Sequence, residues 1–321
     1  ATGVCTATSF VGSGANLTSL TAGNLTGALP AISGANLTGI AATDNVRTGI
    51  LDVAGIATFR NDVNIGAAVT ISESGIEASG IGITVANING AQIGGRRNLI
   101  INGACQVSQR GTSFTSDGYG IDRLWWGMFG MDQAQTTLTQ STDAPSGFKN
   151  SQKINVTTVE TSIDSGERAY IRYRIEGQDL QQLGTGASGA KKLTLSFYAK
   201  TASNNSGHQY SIYLSNNDIS GNDRIQTRAF TVTSTWQRFT FTFDGQEDIA
   251  IRNDNDYGLQ LYISLAAYSS YEASAITSWT DSTYKVVSGQ SNFLASTNND
   301  FFITGIQLEV GSQATAFEHR S

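Results

Sequence analysis

Proline, cysteine, histidine and methionine are each present only twice in 321 residues. Cys5 and Cys105 lie 100 residues apart and form no CxxC; they could pair only if the fold brought them together, so the redox compartment cannot be read from them. The histidines, His208 and His319, have no ligand spacing to a cysteine, a second histidine or a carboxylate, so no metal is expected on them. His208 reads as a solvated loop residue and His319 as structural. No apolar run reaches the roughly eighteen residues needed to span a bilayer, so membrane insertion is not expected. The first residues lack a basic start followed by an apolar block, so no secretory signal is expected. Positive charge is scarce. Lys+Arg is 20 against Asp+Glu 26, a net charge of -6, which argues against a duplex nucleic-acid binder. No P-loop and no G-x-S-x-G elbow occurs.

What is abundant is glycine, 35 residues, with 39% hydrophobic and 9% aromatic residues, enough to build a core and to exclude disorder. The distribution is uneven. Residues 1–95 contain no Lys or Trp and only two aromatics, Phe10 and Phe59, whereas the remainder carries all other aromatics. That shift marks a boundary near Gly94-Gly95-Arg96-Arg97.

The first part repeats itself. Gly14-Ala15-Asn16-Leu17-Thr18 returns as Gly23-Asn24-Leu25-Thr26-Gly27 and Gly34-Ala35-Asn36-Leu37-Thr38-Gly39. Val63, Ile65, Ala67, Val69 and Ile71 alternate at period two. A helix through Leu17, Leu20 and Leu25 is disfavoured, because each interior glycine costs about 1 kcal/mol relative to alanine. Sparse aliphatic side chains cannot bury enough surface in one chain to offset its entropy. A repetitive Gly-rich β-stalk, trimeric around a shared core, is the expected solution.

Residues 96–321 read as an antiparallel β-sandwich or jelly-roll head. Apolar–polar alternation marks strands at 168–175, 192–200, 209–214, 236–243, 257–265 and 301–310, with one short helical turn at 177–183. The expected fold is therefore all-β throughout.

Candidate chemistry is thin. Glu247/Asp248 and Asp254/Asp256 are close in sequence and read as turn residues. A polysaccharide depolymerase would need an acid and a base or nucleophile held several ångströms apart. Asn253-Asp254-Asn255-Asp256 and Asn216-Asn217-Asp218 offer hard oxygen ligands for Ca²⁺, but neither completes an EF-hand loop, and no cofactor is expected. Binding is better represented. Sugar C–H faces stack on aromatic rings while hydroxyls bond polar side chains, and Tyr268, Tyr271, Trp279 and Tyr284 lie in a long polar stretch, 266–298. Trp125 and Trp126 are adjacent, so a strand would bury one and present the other; Trp125 joins the candidates. Trp236, opening a strand, reads as structural.

Asn98-Leu99-Ile100-Ile101-Asn102-Gly103-Ala104 and Gln106-Val107-Ser108-Gln109-Arg110-Gly111-Thr112 open the second part. Phe302-Ile303-Thr304-Gly305-Ile306-Gln307-Leu308-Glu309-Val310-Gly311-Ser312 and Ala314-Thr315-Ala316-Phe317-Glu318-His319-Arg320 close it. With Ile175-Glu176-Gly177-Gln178-Asp179-Leu180 and Leu195-Ser196-Phe197-Tyr198-Ala199-Lys200 between them, this order resembles the C-terminal module of bacteriophage tail fibre proteins, especially of marine phages including cyanophages. The resemblance covers most of 98–320 and, more loosely, the Gly-Ala-Asn-Leu-Thr stalk. It departs at Ala316, where related modules often carry proline, and at Ser321, where many continue. It implies a virion tail fibre and homotrimer. Its head, similar to carbohydrate-binding modules, would attach without turnover to host surface polysaccharide or lipopolysaccharide, and other virion tail proteins would join at the N-terminal end. A depolymerase or a purely structural fibre or connector are the alternatives.

Overall fold

The computed structural model describes residues 97–320, except 116 and 218–222, together with residues 8 and 11. The expected stalk and the boundary near residue 95 lie outside the described residues.

Residues 97–320 are almost entirely β. The strands are β1 (Ser113–Phe114), β2 (Gly118–Tyr119), β3 (Trp125–Phe129), β4 (Gln135–Ser141), β5 (Ser151–Thr158), β6 (Arg168–Glu176), β7 (Leu193–Thr201), β8 (Gln209–Asn217), β9 (Asp223–Thr231), β10 (Gln237–Phe243), β11 (Tyr257–Ala267), β12 (Glu272–Ala273), β13 (Thr280–Asp281), β14 (Val286–Val287) and β15 (Asp300–Val310). One sheet has the order β1-β4-β5-β15-β7-β10 and the other β13-β9-β8-β11-β6-β3-β2. Every pairing within these two sheets is antiparallel. A small parallel ladder joins β12 to β14. The helical turn expected at 177–183 is a 3-10 helix that buries Leu180 and Leu183.

The alternating pattern gives each sheet one inward face, and the two faces meet in a single core. Phe197 of β7 meets Phe230 of β9 edge-on at 5.3 Å, and Phe301 of β15 meets Tyr210 of β8 at 5.6 Å and 89°. Such cross-sheet pairs contribute about 0.5–1.5 kcal/mol each beyond the area they bury. Trp126 is fully buried, donates its indole N–H to Thr136 Oγ1 at 2.9 Å and meets Phe293 edge-on.

The six strands with strong alternation are all present. Four others carry a weaker signal. In β4 and β5 few inward positions are aliphatic (Leu138, Ile154 and Val156), and Thr136, Gln140 and Gln152 share their row. In β9, Gln226 and Arg228 lie on the same face as Phe230. Both are satisfied there: Gln226 donates to the Asp244 carbonyl and Arg228 to the carbonyls of Thr242 and Ile276. Strand β3 holds only five residues.

The segments that open and close the head come together as a clasp over β15. The backbone N–H of Leu99 bonds the Leu308 carbonyl at 2.8 Å and that of Asn102 bonds the Arg320 carbonyl at 2.6 Å. Asn98, fully buried, accepts from the N–H groups of Ile100 (2.9 Å) and Leu308 (3.2 Å) and donates to the Glu318 carbonyl (3.2 Å). Arg320 returns a guanidinium bond to the Asn98 carbonyl at 3.0 Å. Two glycines make this possible. A Cβ on Gly103 would strike the carbonyl oxygen of Ile306. Gly305 sits at φ 63°, in an irregularity of the β15–β7 ladder, with the Phe148 ring where a Cβ would project. His319 packs against Phe148 and Phe317, in keeping with a structural role.

Candidate functional site

The outward row of β6 follows from its inward one. Ala169, Ile171, Tyr173 and Ile175 belong to the core, so Arg168, Tyr170, Arg172 and Arg174 face out. Strand pairing then sets aromatic residues beside them. Arg172 lies opposite Trp125 on one side and Tyr262 on the other, and Tyr262 lies opposite Tyr213. The Tyr262 and Tyr213 rings stack at 4.3 Å and 9°, Tyr170 meets Tyr262 edge-on at 5.2 Å, and Tyr119 meets Trp125 edge-on at 5.1 Å. Gly127, between Trp125 and Phe129 on the same face, leaves room for these rings: a Cβ there would lie 2.9 Å from the Trp125 indole nitrogen and 3.0 Å from Tyr170.

Each outward arginine is laid over a ring. Arg172 sits 5.3 Å from the Trp125 centroid, Arg174 4.3 Å from Tyr257, and Arg168 5.2 Å from Phe129 and 5.1 Å from Tyr271. Arg110 lies 5.3 Å from Tyr119. Phe129 is 57% exposed and Tyr119 38%, so the band opens to solvent at the β2–β3 edge. It continues into an open cleft of about 600 Å³ lined by Arg110, Tyr119, Arg123, Arg174 and Tyr257. Burial raises the pKa of the Tyr262 phenol, and the Arg172 and Arg174 charges and the Arg172 hydrogen bond offset this only in part. The hydroxyl therefore stays protonated and donates to Gln260 Oε1 at 2.9 Å.

Residues 268–290 cover the other half of the same face, and Phe293 and Leu294 beyond them enter the core. Val287 N–H bonds Ser211 Oγ, Gln290 bonds the Ser264 carbonyl, and Ile276 exchanges bonds with Thr227 through its N–H and its carbonyl. The long polar stretch is thus seated on β8 and β9, and the β3–β6–β11 half is left open. Of the residues singled out by sequence, Trp125 lies within the band and Tyr271 joins its border through Arg168. Tyr268 is half-buried beside Glu167, whose carbonyl accepts its N–H. Trp279 donates to the Asp244 carbonyl at 2.6 Å and lines a separate depression of about 400 Å³. Tyr284 is 46% exposed and belongs to neither group. Trp236 is half-exposed on the first sheet, edge-on to Phe302 and bonded to Asp143 Oδ1, and so is not a core residue.

Sequence reasoning missed Tyr119, Arg172, Arg174, Tyr257 and Tyr262. The outward Arg-x-Arg spacing of β6 was a legible signal; the aromatic neighbours come from other strands and were not.

The acidic pairs are engaged locally. Glu247 accepts the Gly189 N–H at 2.8 Å, Asp248 lies 3.4 Å from Arg224, and Asp254 Oδ1 accepts the Asp256 N–H. Asn216 is buried in β8, bonded to Gln246 and Arg224. A different acidic group, Asp132, Glu160 and Glu167, brings one carboxylate oxygen from each within 4.8 Å. Burial raises the Glu160 pKa, helped by the Asp132 hydrogen bond and the Glu167 charge. His208 is half-buried, its Nδ1 3.3 Å from the Tyr210 hydroxyl, and burial depresses its pKa. It is less solvated than its sequence surroundings suggest.

No protein-family model and no curated protein matches the chain. Among solved structures, the enzymatically active domain of bacteriophage CBA120 tailspike protein 4 aligns at 11% identity and TM-score 0.36, covering 66% of this chain and 21% of that one. A family 11 carbohydrate-binding module of a Clostridium thermocellum cellulosomal cellulase aligns at 14% identity and TM-score 0.32, covering 63% and 96%. A xylan-binding domain from Paenibacillus barcinonensis aligns at 12% and 0.30, covering 63% and 94%. Likeness at this level carries no functional inference, and the function has to be argued from the site.

Proposed function

We propose that the chain is a phage tail fibre adhesin whose β-sandwich head holds a host surface glycan without turning it over. The observation that carries this is the band of Trp125, Tyr119, Tyr170, Tyr262 and Tyr257 interleaved with arginines on one sheet face. The exposed ring surface of Tyr119, Trp125 and Tyr257 offers apolar contact to sugar C–H groups, and guanidinium and amide groups beside it match the hydroxyls and ring oxygens. The virion location, the homotrimer and the junction with other tail proteins rest on the motif resemblance to tail fibres.

The test is binding of the full chain to a panel of bacterial surface polysaccharides, alongside Trp125→Ala and Trp236→Ala. Removing a central aromatic anchor costs about 2 kcal/mol or more, roughly a thirtyfold loss of affinity. Trp236, on the other sheet, is the control and should bind as the parent does. Equal loss in both variants would refute the assignment of the face. Release of new reducing ends from a bound polysaccharide would favour a depolymerase instead.

A further inference from the structure

We infer that the glycan held on this face is anionic, carrying carboxylate or sulfate groups, and that Arg172 and Arg174 read those groups. The inference rests on the glycan-binding reading above and narrows it.

The chain is acidic overall, yet this face concentrates arginines: Arg168, Arg172 and Arg174 along β6, with Arg110 and Arg123 at the adjoining cleft. Among the described residues the ion pairs are Lys153–Asp300, Lys192–Asp244, Lys200–Asp143 and Arg224–Asp248, and none involves these five. The opposite sheet makes the comparison. There Lys153 and Lys200 also lie over rings, at Phe302 and Trp236, but each is neutralised by its aspartate. Asp122, Glu176 and Asp256 also line the cleft, hydrogen-bonded to the Gln109 N–H, Gln178 and the Tyr257 N–H, and none of them forms an ion pair with these arginines.

The two central arginines are also oriented before any ligand arrives. Arg172 stands opposite Tyr262 across the ladder and over the Trp125 ring, the Tyr262 hydroxyl donates to Gln260 Oε1, and Arg174 Nε donates to the same oxygen at 3.0 Å. The Trp125 and Tyr257 rings lie against the two guanidinium groups, at 5.3 and 4.3 Å. Donors not used in this chain remain on both groups. Their Cα atoms stand about 6.8 Å apart, as those of alternate residues in one strand do. A stacked guanidinium with a free edge suits the paired oxygens of a carboxylate or sulfate, and a lysine does not reproduce that geometry. A neutral sugar has no charge to set against Arg172 and Arg174, neither of which has an ion pair among the described residues.

Affinities of the full chain would be measured by titration calorimetry for polygalacturonate, κ-carrageenan, a neutral mixed-linkage β-glucan and oligo(dT), in low and high salt. We expect at least one acidic polysaccharide to bind about tenfold or more tightly than the neutral one. We expect Arg174→Ala, and separately Arg172→Ala, to lose about tenfold toward it, as removal of a charge-assisted bond implies. Raising the salt should weaken it several-fold. Binding of polygalacturonate alone assigns the carboxylate, and of carrageenan alone the sulfate. Salt-independent binding led by the neutral glucan, unaffected by either arginine variant, overturns the inference while leaving the glycan reading intact. Binding of no polysaccharide sinks both. Oligo(dT) bound as tightly as any polysaccharide overturns the inference in favour of single-stranded nucleic acid. A change in molar mass in either variant also overturns it, because the face would then be a subunit contact.

Discussion

Replacing Asn98 by alanine should destabilise the head more than any single hydrogen bond would suggest. The side chain is fully buried, and its amide oxygen is the acceptor for two backbone donors, Ile100 at 2.9 Å and Leu308 at 3.2 Å. Its amide nitrogen serves the Glu318 carbonyl at 3.2 Å and the Ile306 carbonyl at 3.4 Å. Alanine strands both N–H groups beneath the clasp, and each buried unsatisfied donor costs about 1–3 kcal/mol. A water entering the vacated space recovers part of that, so the expected loss is about 3 kcal/mol. The assay is urea unfolding of the full chain followed by tryptophan fluorescence. All four tryptophans lie at or beyond residue 125, so the signal reports this part of the chain alone. With a slope of about 2–3 kcal/mol per molar, the midpoint should fall by roughly 1–1.5 M urea. Asn298→Ala, at an exposed position, is the control and should stay within about 0.5 kcal/mol. A loss below about 1 kcal/mol for Asn98→Ala, at unchanged slope, would refute the clasp as a buried network.

Gly305→Ala should cost about 2–3 kcal/mol in the same assay, from a left-handed backbone and a methyl 2.7 Å from the Phe148 ring; near-native stability would show that the ring yields freely. His208 predicts a pH effect. Its folded pKa is depressed by burial, so the stability it contributes is present above its unfolded value, near 6.5, and is lost as pH falls through the lower folded value. Stability of the parent should therefore decline more steeply than that of His208→Gln between neutral and mildly acid pH. Parallel curves would contradict the assignment.

The sequence by itself determined the strands whose two faces differ strongly in polarity. Lys192–Lys200 and Tyr257–Leu265 alternate regularly enough to assign one inward face to each, whereas Phe301–Val310 switches its inward parity at the Gly305 irregularity. It also determined that one of Trp125 and Trp126 must face outward, and that Arg168, Arg172 and Arg174 share a side, because the side-chain period of a strand is two. Tertiary structure decided which strands are neighbours. Trp125, Arg172, Tyr262 and Tyr213 come from β3, β6, β11 and β8, and only long-range pairing sets them in one row. It decided as well that 268–290 would lie down on β8, β9 and the end of β11, through backbone and polar side-chain bonds that leave no periodic trace. Strand periodicity is local, whereas sheet order is settled by which faces bury the most surface together, and the binding face of this chain is a property of that order.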